Sequence, residues 1–175
     1  LTKTGSGTNS LNGTLRYRGV TTVNGDVLAL GASNTLSGTV IVNAGGALRL
    51  GHPGAVWGAP LVAAAGGATL DTAEMAAPYP FVQTQTLRIG GSGVTTTLAT
   101  APGNGLELLT TSKLHVNAYD GATPALTVTG GGSLTVSSNN AVTVTVAGDV
   151  PLPIGDYTLV SGGVAGETPT TYVTV

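Results

Sequence analysis

The sequence predicts an all-β chain wound as a β-solenoid of about 20 residues per coil. Three features carry that expectation. Short runs alternate aliphatic or β-branched residues with others, glycine-rich corners separate the runs, and both recur at an interval near twenty. Residues 19–31 (GVTTVNGDVLALG) and their looser copy 38–51 (GTVIVNAGGALRLG) display all three.

The alternation is the primary signal. Val40-Ile41-Val42, Leu48-Arg49-Leu50, Leu114-His115-Val116, Leu126-Thr127-Val128, Leu134-Thr135-Val136 and Val142-Thr143-Val144-Thr145-Val146 have the period of two that strands require. Helix signals are nearly missing. Only residues 72–77 (TAEMAA) read as a helical turn, and Pro78 and Pro80 stop it at once.

Spacing organises these strands. Leu28 and Leu30 recur as Leu48 and Leu50, then as Ala68 and Leu70; Val94 and Thr96 are followed by Leu114 and Val116, then by Leu134 and Val136. The corners keep step at Asn24-Gly25, Gly45-Gly46, Gly66-Gly67, and the glycine clusters 91–93 and 130–132. Between Leu70 and Val94 the step is 24, which leaves room for a loop insertion at 72–81. A second insertion is expected near 51–60, and 151–163 (PLPIGDYTLVSGG) reads as an irregular close that ends the series, with 151–175 forming the tail of a single domain 1–175.

Stacking is what makes such a period stable. One coil cannot bury its inward side chains alone, but coils about 4.8 Å apart pair their backbone groups with neighbours above and below. Equivalent aliphatic groups then form dry columns. Glycine suits corners that need φ > 0 or a tight bend, and Asn24 and Asn43, each just before a corner, are placed to stack as an amide ladder. Seven or eight coils make a rod of about 35–40 Å. The alternative is an antiparallel β-sandwich, whose strands recur at shorter intervals.

Composition narrows the function. The chain has 175 residues, 28 of them Gly, with 4% aromatic and 8% charged residues, so its core is expected to be Val, Leu, Ile and Ala. Six Lys and Arg spread over a chain of net charge −2 supply no basic stripe for nucleic acid. With no Cys there are no disulfides or thiolate metal sites. No apolar run reaches the roughly 18 residues of a membrane-spanning helix. The chain starts at Leu1 without a signal-like segment and reads as a mature portion or a piece of something longer.

At residues 1–31, LTKTGSGTNSLNGTLRYRGVTTVNGDVLALG, the chain resembles the autotransporter-associated β-strand repeat, also called the passenger-associated transport repeat. Leu1, Lys3, Gly5, Gly7 and Thr8 match the first half of that pattern. Tyr17, Gly19, Thr21, Val23, Leu28, Leu30 and Gly31 match the second, with Arg18 where small or polar residues are commoner. The resemblance implies a right-handed parallel β-helix within a long secreted protein of the bacterial cell surface. It implies no single activity, because one fold serves many functions.

Candidate chemistry is sparse. The acids are Asp26, Asp71, Glu74, Glu107, Asp120, Asp149, Asp156 and Glu167, and in the expected register no two share a ladder position on consecutive coils. A calcium-dependent lyase or a carboxylate-pair glycosidase is therefore not expected. His52 and His115 stand 63 residues apart with no companion at metal-ligand spacing. No catalytic residue, metal or cofactor is expected, and the chain is read as non-enzymatic.

Two kinds of contact surface remain. Trp57, Tyr79 and Phe81 fall in or beside the two expected insertions and form a candidate surface for surface glycans; alternatively Trp57 and Phe81 fold back over an apolar sheet face. The rod's ends form the other. Leu1, Thr2 and Lys3 at one end and Tyr172, Val173, Thr174 and Val175 at the other carry no evident cap, so they are candidate pairing edges. The expected function is a structural element of an extracellular bacterial surface protein, either a stalk segment or a fibre of copies paired head to tail. The alternative is an adhesive or carbohydrate-binding module using the loop face near Trp57.

Overall fold

A computed structural model of the chain describes residues 1–33, 36–82, 84–148 and 151–167, and the backbone alone of 170–174. The first three coils carry two strands each: β1 (Thr2–Lys3) and β2 (Asn9–Leu11), β3 (Thr21–Val23) and β4 (Asp26–Leu30), β5 (Val40–Val42) and β6 (Gly46–Leu50). The fourth adds a third strand, running β7 (Leu61–Ala65), β8 (Thr69–Asp71), β9 (Tyr79–Phe81). Three-stranded coils follow: β10 (Thr86–Gly90), β11 (Thr96–Ala99), β12 (Gly105–Leu108), then β13 (Lys113–Tyr119), β14 (Leu126–Thr129), β15 (Ser133–Val136). The series closes with β16 (Ala141–Val146), β17 (Val160–Ser161), β18 (Val164–Gly166) and β19 (Thr170–Thr174).

Equivalent strands stack into three sheets, ordered β1-β3-β5-β7-β10-β13-β16-β19, β2-β4-β6-β8-β11-β14-β17 and β9-β12-β15-β18. Among the described residues every strand pairing is parallel. The chain is a β-solenoid, and the antiparallel sandwich is excluded.

Alternation decides what faces in. Leu28 lies over Leu48, Leu48 over Leu70, Leu70 over Leu98 and Leu98 over Val128, all buried. On the first sheet Val40, Val62, Leu87, Leu114 and Val142 form another buried column. Burying an aliphatic side chain of this size contributes about 1.5–3 kcal/mol. Asn43 Nδ2 donates to Asn24 Oδ1 at 2.7 Å, so the two corner amides do stack.

The corners are tied to the coil beneath by buried amides. Asn104 Oδ1 accepts from Ala101 N–H at 2.7 Å while its Nδ2 donates to Met75 C=O at 2.9 Å. Asn140 repeats the device, accepting from Ser137 N–H at 2.7 Å and donating to Leu109 and Ser112 carbonyls at 3.0 and 3.1 Å. Each amide satisfies backbone groups that a corner cannot pair in a ladder. Gly105, which opens β12, has φ +143, and a Cβ there would lie 1.9 Å from Ser133 C=O. Any larger residue would push the third sheet apart.

Three expectations are corrected. The coil does not hold at twenty residues: Leu28 reaches Leu48, but Leu48 reaches Leu70, Leu70 reaches Leu98 and Leu98 reaches Val128. The sharpest lengthening comes at the step from Leu70 to Leu98, the one that takes in β9, the first strand of the third sheet. Thus Ala68 does not stack on Leu48. Likewise Thr96, Val116 and Val136 occupy three different sheets instead of one column. Second, the stretch 72–81 is not an outlying insertion, since its end is β9, the first strand of the third sheet. Third, the series does not end at 151–163, because β17 pairs with β14, β18 with β15 and β19 with β16.

Candidate functional site

The segment between β6 and β7 turns tightly twice, with Ala55 N–H donating to His52 C=O at 2.9 Å and Ala59 N–H to Val56 C=O at 3.0 Å. These turns send Ala55, Val56 and Ala59 into the core, each 0% exposed, and leave Trp57 outside, 58% exposed. Gly58 is required by close approach, since a Cβ there would lie 2.6 Å from Leu36 C=O of the coil below. His52 is engaged locally, its Nδ1 accepting from Gly54 N–H at 3.0 Å.

Tyr79 and Phe81 do not join Trp57 on a surface. Both are 0% exposed, with ring centroids 5.9 Å apart in an edge-on arrangement of 69°. They point inward from β9 because the third side of the coil opens an interior that aliphatic side chains of the two-stranded coils do not fill. As ligand-contacting residues they are therefore corrected. Their part is indirect: Tyr79 Oη accepts from Val56 N–H at 3.0 Å. Gln85, which the sequence reading missed, donates from Nε2 to the carbonyls of Val56 and Ala59, both at 2.8 Å, and accepts from Val82 N–H at 2.9 Å. The residue before Trp57 is thus held at its N–H by a phenol and at its C=O by an amide. Burial pushes the Tyr79 phenol up to about 12, with the Val56 hydrogen bond pulling the other way.

At the rod's ends, β1 pairs only with β3 and β19 only with β16 among the described residues. Leu1 is 49% exposed, and Thr2 stacks on Thr22. Lys3 is corrected as a contact residue: its side chain is 2% exposed and folds into the first corner. Its Nζ donates to Gly5 C=O at 2.7 Å, Thr4 C=O at 3.3 Å and Gly25 C=O at 3.4 Å. Only its backbone remains on the edge. Tyr172, Val173 and Thr174 continue the ladder on Thr143, Val144 and Thr145. Val175 and Asp149 lie outside the described residues.

The remaining ionisable groups are dispersed. Arg49 binds Asp71 and Glu74, each at 2.8 Å, on the outer face of the second sheet. His115 faces outward between buried Leu114 and Val116, its Nε2 3.4 Å from Thr145 Oγ1. Its pKa is lowered by burial and then by the nearby Arg88. Among the described residues no three His, Cys, Asp or Glu lie together to hold a metal ion, and no helix is long and apolar enough to cross a membrane.

Comparison with protein-family models, curated proteins and solved structures finds no match for this chain.

Proposed function

We propose that the chain is a non-catalytic structural element of a secreted bacterial surface protein, a stalk segment that sets distance and stiffness. The observation that supports this best is the eight-strand parallel ladder from β1 to β19, which runs the length of the described molecule. Stiffness along such an axis comes from stacked hydrogen bonds and a continuous aliphatic column, both independent of any ligand. The likeness of residues 1–31 to the passenger-associated repeat supports the surface location.

The taper favours a stalk over a uniform fibre of copies. The first coil has two strands, β1 and β2, whereas β17, β18 and β19 belong to three sheets. A second copy docked head to tail would cover the edges of two sheets and leave β18 unpaired. Immunolabelling of intact source cells tests the location: signal on unbroken cells is expected, and signal only after lysis overturns the proposal. Light scattering of the purified chain at high concentration separates the stalk from the fibre. Discrete particles are expected, and growing filaments would favour head-to-tail pairing.

A second reading, glycan binding at Trp57, is favoured by one observation: an exposed indole on a backbone pinned by Tyr79 and Gln85. A rigid exposed ring stacks on a sugar with little loss of conformational freedom. On a glycan array, binding that disappears with Trp57→Ala supports this reading, and binding indifferent to the change removes it.

A further inference from the structure

The outer face of the first sheet carries a hollow of about 110 Å³ that neither the stalk nor Trp57 uses. It exists because β7 reads Leu-Val-Ala-Ala-Ala. In register, Ala63 sits between Ile41 of β5 and Arg88 of β10, and Ala65 lies beside Gly90. Methyl groups therefore form a floor where neighbouring strands carry long side chains. The rim bears Arg88, Asn43 and Asn117.

Charge on this face is one-sided. Arg88 makes no hydrogen bond or ion pair with any described residue, in contrast to Arg49 with its two carboxylates. Lys113 is exposed on the adjoining strand, and β5, β7, β10 and β13 contain no Asp or Glu. For a chain of net charge −2 this is a local reversal.

The backbone beside the rim is irregular. The β13–β16 register shifts between Val116 and Tyr119, and Ala118 has φ 48. Its N–H donates to Thr145 Oγ1 at 3.1 Å. A bulge re-aims the side chain next to it, and a non-glycine residue held at positive φ is strain that tends to collect at functional positions. The side chain beside this bulge is Asn117.

We propose that this hollow binds a carboxylated sugar, a uronate unit of an acidic glycan. The Arg88 guanidinium presents a fork of N–H donors that matches a carboxylate. The Asn117 amide supplies a donor and an acceptor for hydroxyls, Asn43, whose Nδ2 is given to Asn24, adds its Oδ1 as an acceptor, and the Ala63 and Ala65 methyls face the C–H surface of the ring. An acidic peptide fits less well, because the hollow lies on a sheet face and offers no open strand edge for peptide backbone. The site stands apart from the stalk reading and from Trp57.

Titration calorimetry with alginate oligosaccharides tests it, with cello-oligosaccharides of equal length as the uncharged control and poly-glutamate as the acidic-peptide control. Binding of alginate alone is expected. Arg88→Ala and Arg88→Lys should each weaken it by about tenfold or more, the lysine because a point charge cannot replace the fork. Ala63→Leu should block the hollow while leaving every charge in place, and Thr97→Ala, outward on the second sheet, should change nothing. Unfolding curves on each variant confirm that the fold is kept. Equal binding of either control, no alginate binding, or affinity unmoved by Arg88→Ala and Ala63→Leu would overturn the proposal.

Discussion

Single polar side chains in the corners hold this molecule's non-repeating parts in place. Gln85 serves three backbone groups on two coils, and stranding a buried backbone group costs about 1–3 kcal/mol. Gln85→Leu is therefore expected to lower the urea midpoint as strongly as a core truncation, with little change in slope. An effect below about 0.5 kcal/mol would mean that the corner re-forms its bonds elsewhere. Tyr79 gives a pH signature. Its folded pKa of about 12 stands above the ordinary 10.0 because burial disfavours the phenolate. Its contribution is complete below pH 10 and is lost as pH rises toward 12, since only the unfolded chain ionises freely there. Tyr79→Phe should flatten that part of the alkaline melting profile relative to wild type. His115 works in the opposite direction, its pKa held below 6.5 by burial and Arg88. The fold should lose stability as pH falls from 6.5 through that lowered value, and Arg88→Ala should raise the His115 midpoint in an NMR titration only part of the way, because burial remains.

At the scale of elements, the strands were legible, and so was the stacking of Leu28 on Leu48 and Leu30 on Leu50, but the partners beyond that pair of coils were not. Leu98 shows both sides. Its inward direction follows from alternation within β11, whereas its contacts, Leu70 below and Val128 above, follow from a coil length of nearly thirty. Leu98→Ala is expected to destabilise by about 2–5 kcal/mol in urea unfolding, because the column above and below cannot close the gap. Thr97→Ala, one residue away and outward, should stay within about 0.5 kcal/mol. The twenty-residue step from Thr96 to Val116 to Val136 links a strand of the second sheet to one of the first and one of the third. Every sheet of a solenoid needs the same inward aliphatic pattern, so a strand carries no mark of which side it belongs to. The Trp57 site divides the same way. An aromatic in a Gly/Pro-rich turn was visible in sequence, but its exposure was not, and Tyr79 and Gln85, its supports from the next coil, were separated from it by more than twenty residues.

The whole molecule is a tapering rod. Eight stacked strands in its longest sheet span about 34 Å at the usual strand spacing, and the strands per coil rise from two to three at β9. The sequence by itself determined the inward and outward faces, the glycine corners, the stacked Asn24–Asn43 pair and the winding of the chain, because these depend on local alternation and on backbone angles that few residues adopt. Only the tertiary structure decided where the third side begins, which strands share a sheet, and that Lys3, Tyr79 and Phe81 turn inward. Those outcomes depend on the size of the space that stacked coils enclose, and no segment carries that quantity alone.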